Sequence, residues 1–169
     1  MPSMNLREGA ELVGMTVLPS QVFAAEAGDG EAPEEASASD SDEEASAAAE
    51  QGDAVEPWLL LVTSKGIGKR VRASEIRLQQ RGGVGGRVIK LGPGDRLAAA
   101  QVVTPPEDTA DAGSVELDVL ISTVHGISMR TPLSRIRVLK RQSRGHRLVK
   151  LDEGDAVADI TIVSTNPAA

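Results

Sequence analysis

Cysteine and tyrosine are absent from this chain, which holds a single tryptophan, Trp58, a single phenylalanine, Phe23, and two histidines, His125 and His146. Without cysteine there is no disulfide, thiolate metal site or cysteine nucleophile, a usage that suits a reducing cytoplasm. Without tyrosine no tyrosyl covalent intermediate can form. Two histidines leave few players for a triad or a zinc site, and these two have poor company: His125 falls in a predicted turn and His146 beside a basic strand. Gly66-Ile67-Gly68-Lys69-Arg70 is not a phosphate-binding P-loop, because no Ser/Thr follows the lysine and no helix follows the glycines. No cofactor and no metal is expected, and an enzyme acting alone is poorly served. The scarcity of aromatics also removes the stacking platforms on which single strands and RNA are held. Long apolar runs are missing too: nothing approaches the roughly 18 residues of a membrane span. Met1-Pro2-Ser3-Met4 has neither a basic start nor an apolar signal core. The expected chain is soluble, cytoplasmic and without a membrane partner.

Basic residues are nearly absent from the first third. Residues 1–57 carry 14 Asp/Glu against Arg7 alone, whereas residues 58–169 carry 17 Lys/Arg against 11 acidic side chains. The net charge of −7 is therefore an acidic arm of −13 joined to a basic body of +6. Within the arm, 20–57 is dominated by Ala, Glu, Asp, Ser and Gly; such a segment buries too little apolar surface to offset its ordering entropy, so it reads as a disordered linker. Twelve acidic residues in 24–57, tethered beside a basic body, are also placed to compete with an anionic ligand. Residues 104–117, with Pro105-Pro106, Glu107, Asp108 and Asp111, form a second, shorter linker.

What the chain does have is a repeat. Residues 58–103 align without a gap on 118–163 at a constant offset of 60. Identical pairs include Leu60/Leu120, Thr63/Thr123, Gly66/Gly126, Arg70/Arg130, Ile76/Ile136, Arg77/Arg137, Arg81/Arg141, Gly85/Gly145, Arg87/Arg147, Lys90/Lys150, Gly94/Gly154 and Asp95/Asp155. Leu6-Arg7-Glu8-Gly9-Ala10-Glu11-Leu12-Val13 matches the end of each copy, so 1–19 reads as the tail of an incomplete repeat. The chain thus divides into that tail, the acidic linker 20–57, a repeat over 58–103, a linker over 104–117, a repeat over 118–164 and a short tail, 165–169. Each repeat predicts four short strands, at 58–63, 67–71, 86–91 and 97–103 in the first and at 119–123, 127–131, 147–151 and 157–163 in the second. Such all-β units, with glycines at the turns, have the size of propeller blades. Two blades and a fragment do not close a ring, so the repeats are expected to belong to a longer chain or to assemble with others.

These motifs, an apolar strand followed by T-x-x-G-x-x-x-R (Thr63, Gly66, Arg70; Thr123, Gly126, Arg130), the Ile-Arg steps at 76–77 and 136–137, the R-x-x-x-G loops and the Lys-Leu-x-x-Gly-Asp ends, resemble the C-terminal repeats of the A subunit of bacterial DNA gyrase. The A subunit of topoisomerase IV is a near relative. Gln79-Gln80-Arg81-Gly82-Gly83-Val84-Gly85 is similar to the Q-R-R-G-G-K-G box that marks gyrase, departing from it at Gln80 and Val84. The resemblance implies a pinwheel-type propeller whose basic rim bends and wraps double-stranded DNA in the nucleoid, as part of an ATP-dependent type II topoisomerase. Its partners would be the rest of the gyrase A subunit together with the gyrase B subunit. The DNA-cleaving tyrosine and any ATPase motif are missing, so this chain would be the wrapping part. Repetition of arginine at fixed positions, together with the resemblance, marks Arg70, Arg77, Arg81, Arg87, Arg130, Arg137, Lys140, Arg141, Arg144 and Arg147 as DNA-binding, with Gly82, Gly83 and Gly85 letting backbone N–H groups approach phosphates. Arg81, Lys140, Arg141 and Arg144 stand out because they lie in loops. Two alternatives stay open: the equivalent domain of topoisomerase IV, and a remnant propeller that binds an acidic protein.

Overall fold

The computed structural model describes residues 6–18, 56–104 and 116–165. The expected acidic linker lies outside these apart from Glu56 and Pro57, as does most of the second linker. Seven strands are described: β1 (Trp58–Thr63), β2 (Ile67–Arg72), β3 (Leu97–Val103), β4 (Glu116–Thr123), β5 (Ser128–Pro132), β6 (His146–Arg147) and β7 (Val157–Thr165). The fold is all-β, in two antiparallel sheets ordered β3-β1-β2-β6 and β5-β4-β7.

Both repeats build the same turn from the same residues. Gly66 N–H donates to the Thr63 carbonyl at 3.0 Å and Gly126 N–H to that of Thr123 at 3.0 Å. The threonine hydroxyls accept from Ile67 N–H at 3.3 Å and Ile127 N–H at 3.2 Å, closing each turn a second time. The Gly-Asp motif braces that turn from the turn that precedes the neighbouring strand. Asp95 Oδ1 accepts from the Ser64 hydroxyl at 3.0 Å and Lys65 N–H at 3.1 Å, and Asp155 Oδ1 from His125 N–H at 3.1 Å. The tail at 6–18 keeps the corresponding local turn, with Ala10 N–H on the Arg7 carbonyl at 3.0 Å, as Asp95 and Asp155 make theirs at 3.1 Å.

Alternation along β1 explains the core. Leu60 and Val62 are fully buried on one face, packed with Val119 and Ile121 of β4 and Val157 and Ile160 of β7. Leu59 and Leu61 point the other way, onto Val71 and Ile89. The even-numbered face of β1 thus meets the odd-numbered face of β4, and the sheets stack in the same sense, as successive blades do. Each such aliphatic side chain contributes about 1.5–3 kcal/mol of burial.

One expectation fails in detail. Residues 86–91 form no strand, and of 147–151 only Arg147 does, joined by His146 in β6. The reason is partnership across repeats. β6 belongs in sequence to the second repeat but pairs with β2 of the first, Ile67 opposite Arg147 and Gly68 opposite His146. Residues 86 and 87 are the counterparts of β6 at the offset of 60, and among the described residues the repeat before them supplies only its tail, with no β2 to receive them.

Candidate nucleic-acid interface

Docking of the second repeat on the first is what assembles the basic loops. Beyond β6, the segment 136–149 runs along β2: Arg70 N–H donates to the Arg137 carbonyl at 2.9 Å, Leu139 N–H to the Arg70 carbonyl at 2.8 Å and Leu148 N–H to the Gly66 carbonyl at 2.8 Å. Between these anchors the chain turns through Lys140–Gly145, and Lys90 N–H holds it by the Ser143 carbonyl at 3.1 Å. The first repeat's loop, 79–86, lies next to it. A Cβ at Gly86 would stand 3.8 Å from Arg141 Nη1, and one at Gly92 would be 2.6 Å from Arg144 Nη2. Arg77, Arg141 and the Gln79–Gly86 loop line a shallow cavity of about 340 Å³. A second, of about 280 Å³, is lined by Lys65, Arg147 and Lys150 with Asp155.

Arg77, Arg81, Arg87, Arg137, Lys140, Arg144 and Arg147 are exposed and Arg141 is half-buried. Arg70 is placed differently: it is 9% exposed, its Nε donates to the Ile136 carbonyl at 2.6 Å, and its guanidinium lies 4.4 Å over the Trp58 ring. Burial pulls its pKa below the usual arginine value. Its guanidinium therefore joins the two repeats. Arg130, the counterpart, pairs with Asp118. In the glycine loop, Gly83 N–H donates to the Gln80 carbonyl at 3.2 Å and Gly85 N–H to Gln79 Oε1 at 3.1 Å. Those two donors shape the loop itself, while Gly82 and Gly85 take positive φ of 80° and 79°.

Sequence reasoning passed over Lys69. Its side chain is fully buried, and Nζ donates to the carbonyls of Lys140 at 2.8 Å, Arg141 at 2.9 Å and Ser143 at 2.9 Å. Burial brings its pKa down to about 8, with nearby Glu75 opposing. A lysine following an apolar strand and a turn reads as solvated; the one available signal was its counterpart, Met129, a side chain suited to a buried position.

The two repeats have counterparts in known proteins. The family described as "DNA gyrase C-terminal domain, beta-propeller" matches residues 57–104 and 117–164. The DNA gyrase A subunit of Synechocystis sp. is 37% identical over 163 residues, 95% of this chain and 17% of that protein. The chloroplastic/mitochondrial DNA gyrase A subunit of Arabidopsis thaliana is 32% identical over 108 residues, 64% of this chain and 11% of that protein. The chain thus spans less than a fifth of these relatives. Among solved structures, a DNA gyrase A C-terminal domain superposes with a TM-score of 0.52 at 23% identity, over 63% of this chain and 33% of the other. A topoisomerase IV C-terminal domain gives 0.54 at 15% identity, over 65% and 31%. At those identities the two structures speak for the fold alone.

Proposed function

Since the chain belongs to the family of DNA gyrase C-terminal domains, we propose that it is the non-catalytic part of a type II topoisomerase that binds and wraps duplex DNA, supporting ATP-dependent supercoiling by the remainder of the gyrase A subunit together with the gyrase B subunit in the cytoplasm. The observation that carries this reading is the meeting of two basic loops, 79–86 and 140–145, from successive repeats, with Arg141 of one beside Gly86 of the other. Loops from successive blades offer guanidinium and ammonium groups at intervals along one rim, which suits the regular phosphates of a bent duplex and reads no bases. Half-buried Trp58, already covered by Arg70, is no platform for an unstacked base. Gyrase rather than topoisomerase IV is favoured by the curated relatives, of which the Synechocystis protein aligns over nearly the whole chain.

The test is titration of a labelled duplex at several salt concentrations. If about four phosphates are neutralised, log K falls with log salt at a slope near −3.6. Arg81→Ala, or joint loss of Lys140, Arg141 and Arg144, weakens binding and leaves strand content unchanged. A slope near zero, or preference for a single strand, overturns the reading and returns the chain to the class of protein-binding propellers.

A further inference from the structure

Lys69 has no place in a DNA contact, yet its Nζ stands within hydrogen-bonding distance of four oxygens of one loop. The ammonium is removed from solvent, and three carbonyls of one loop, those of Lys140, Arg141 and Ser143, converge on Nζ at 2.8–2.9 Å. The Ser143 hydroxyl completes the set at 3.1 Å and itself donates to the Lys140 carbonyl at 2.8 Å. Glu75, also in the first repeat, takes the Arg141 N–H at 2.8 Å. Thus the main chain between 140 and 143 is gripped from the first repeat at its carbonyls by a cation and at an N–H by a carboxylate. Lys140 and Arg144 are exposed residues and Arg141 is half-buried.

Burying an ammonium is costly, and a hydrophobic residue of similar volume would fill the space without that cost. The second repeat does this: its counterpart is Met129, half-buried on β5, where no repeat is docked among the described residues. Lysine stands where a loop is held and methionine where, among the described residues, none is docked. We propose that Lys69 is a positioning residue, a buried latch that fixes the Lys140–Arg144 loop so that its three basic side chains are presented together to phosphates; this rests on the DNA-binding reading above. The latch acts by preorganisation: a loop already held loses little freedom on binding, and its charges are spaced before DNA arrives. Lys69 itself touches no phosphate.

A double-mutant cycle in the full chain separates the latch from its surroundings. Four proteins are titrated with labelled duplex over a range of salt: the parent, Lys69→Met, the loop variant Lys140→Ala/Arg141→Ala/Arg144→Ala, and their combination. Lys69→Met, which borrows the residue of the second repeat, is expected to weaken binding about tenfold in the parent loop and to leave the loop variant unchanged. It also flattens the salt slope by about 1–2, the share of the loop at roughly 0.9 per phosphate. Should Lys69→Met lose strand content by circular dichroism, Ser143→Ala carries the test, with about a twofold to threefold loss in the parent loop and none in the loop variant. A loop variant that binds like the parent sinks the DNA-binding reading itself. A weakened loop variant beside a Lys69→Met or Ser143→Ala protein of parental affinity and slope sinks the latch alone. Equal losses in both backgrounds also overturn it, since they mark Lys69 as a general structural residue.

Discussion

The two repeats carry the same motifs at an offset of 60 and put them in opposite surroundings. In the first, β2 receives β6 and the segment behind it; in the second, β5 is the described edge of its sheet. Differences at successive positions of these two strands follow from that. Gly68, where a Cβ would stand 2.3 Å from Leu148 Cδ1 and 2.9 Å from the Leu61 carbonyl, is answered by exposed Ser128. Buried Lys69 is answered by Met129. Arg70 reaches Ile136 in the neighbouring repeat, while Arg130 has a side chain 51% exposed and folds back on Asp118 of its own sheet. Even the shared turn glycines differ: both take positive φ, 74° and 82°, but a Cβ at Gly66 would be 2.7 Å from Val149 Cγ1 and one at Gly126 would meet nothing within 4 Å. A strand that accepts a neighbour gives up bulk at its edge and gains donors that reach across. The motif alone does not state which of the two a repeat will be.

Exchanging residues between the strands tests this most sharply at Gly68. Gly68→Ser places in β2 the residue that β5 carries, and the hydroxymethyl group collides with the chain arriving through Leu148. Overpacking of this kind is expected to cost about 3 kcal/mol. The reciprocal Ser128→Gly removes an exposed side chain from a strand and costs roughly 0.5–1 kcal/mol through backbone entropy. Urea unfolding of both variants gives the comparison. Equal losses would mean that β6 does not dock on β2 as described.

The arginines come next in size. Arg70→Ala leaves the Ile136 carbonyl without its charged donor and uncovers Trp58, a loss of about 2 kcal/mol from a buried charge-assisted hydrogen bond and a cation–π contact. Arg130→Ala breaks an ion pair that is half-exposed at the arginine and takes that cation from Asp118, itself 8% exposed, a loss of about 1 kcal/mol. Urea unfolding of both variants measures the difference, and equal losses would remove the contrast between the two edges.

Much of this architecture could be read from sequence because its determinants are local. T-x-x-G and Lys-Leu-x-x-Gly-Asp each close a turn within a few residues, so turn positions, strand alternation and the repeat were legible. The choice of strand partner is not local. The 86–91 and 147–151 segments share a pattern that predicts a strand in both, and only the copy that finds β2 of another repeat pairs at all. The candidate site divides along the same line. Arg81, Lys140 and Arg144 were legible as exposed loop charges, since loops turn side chains outward. Arg70 reads like any other repeated arginine until its neighbour is in place, and Lys69 reads as a solvated cation until three carbonyls from residues more than 70 positions away close around it.

The smallest expected effect lies at the exchanged strand itself. His146 sits in β6 opposite Gly68, and its Nδ1 is buried without a partner among the described residues. Burial first, and then the charge of Arg137, holds its pKa below the ordinary 6.5, with a hydrogen bond to the Arg135 backbone opposing. Unfolded, the imidazole takes up its proton near its ordinary pKa; folded, it does so at lower pH. Between those two points the unfolded chain binds more protons, so stability falls as pH falls, and above the ordinary value this group has no effect. Lowering the pH from about 7.5 to about 5 is therefore expected to destabilise the parent more than a His146→Gln variant, by less than the loss from Arg70→Ala. Comparing the pair cancels the carboxylates that titrate in the same range. In a Gly68→Ser background, with β6 displaced and the imidazole in water, the difference between histidine and glutamine should vanish. Urea unfolding of the four proteins at the two pH values decides it, and an identical pH response of parent and His146→Gln would show that the exchanged strand does not bury its histidine.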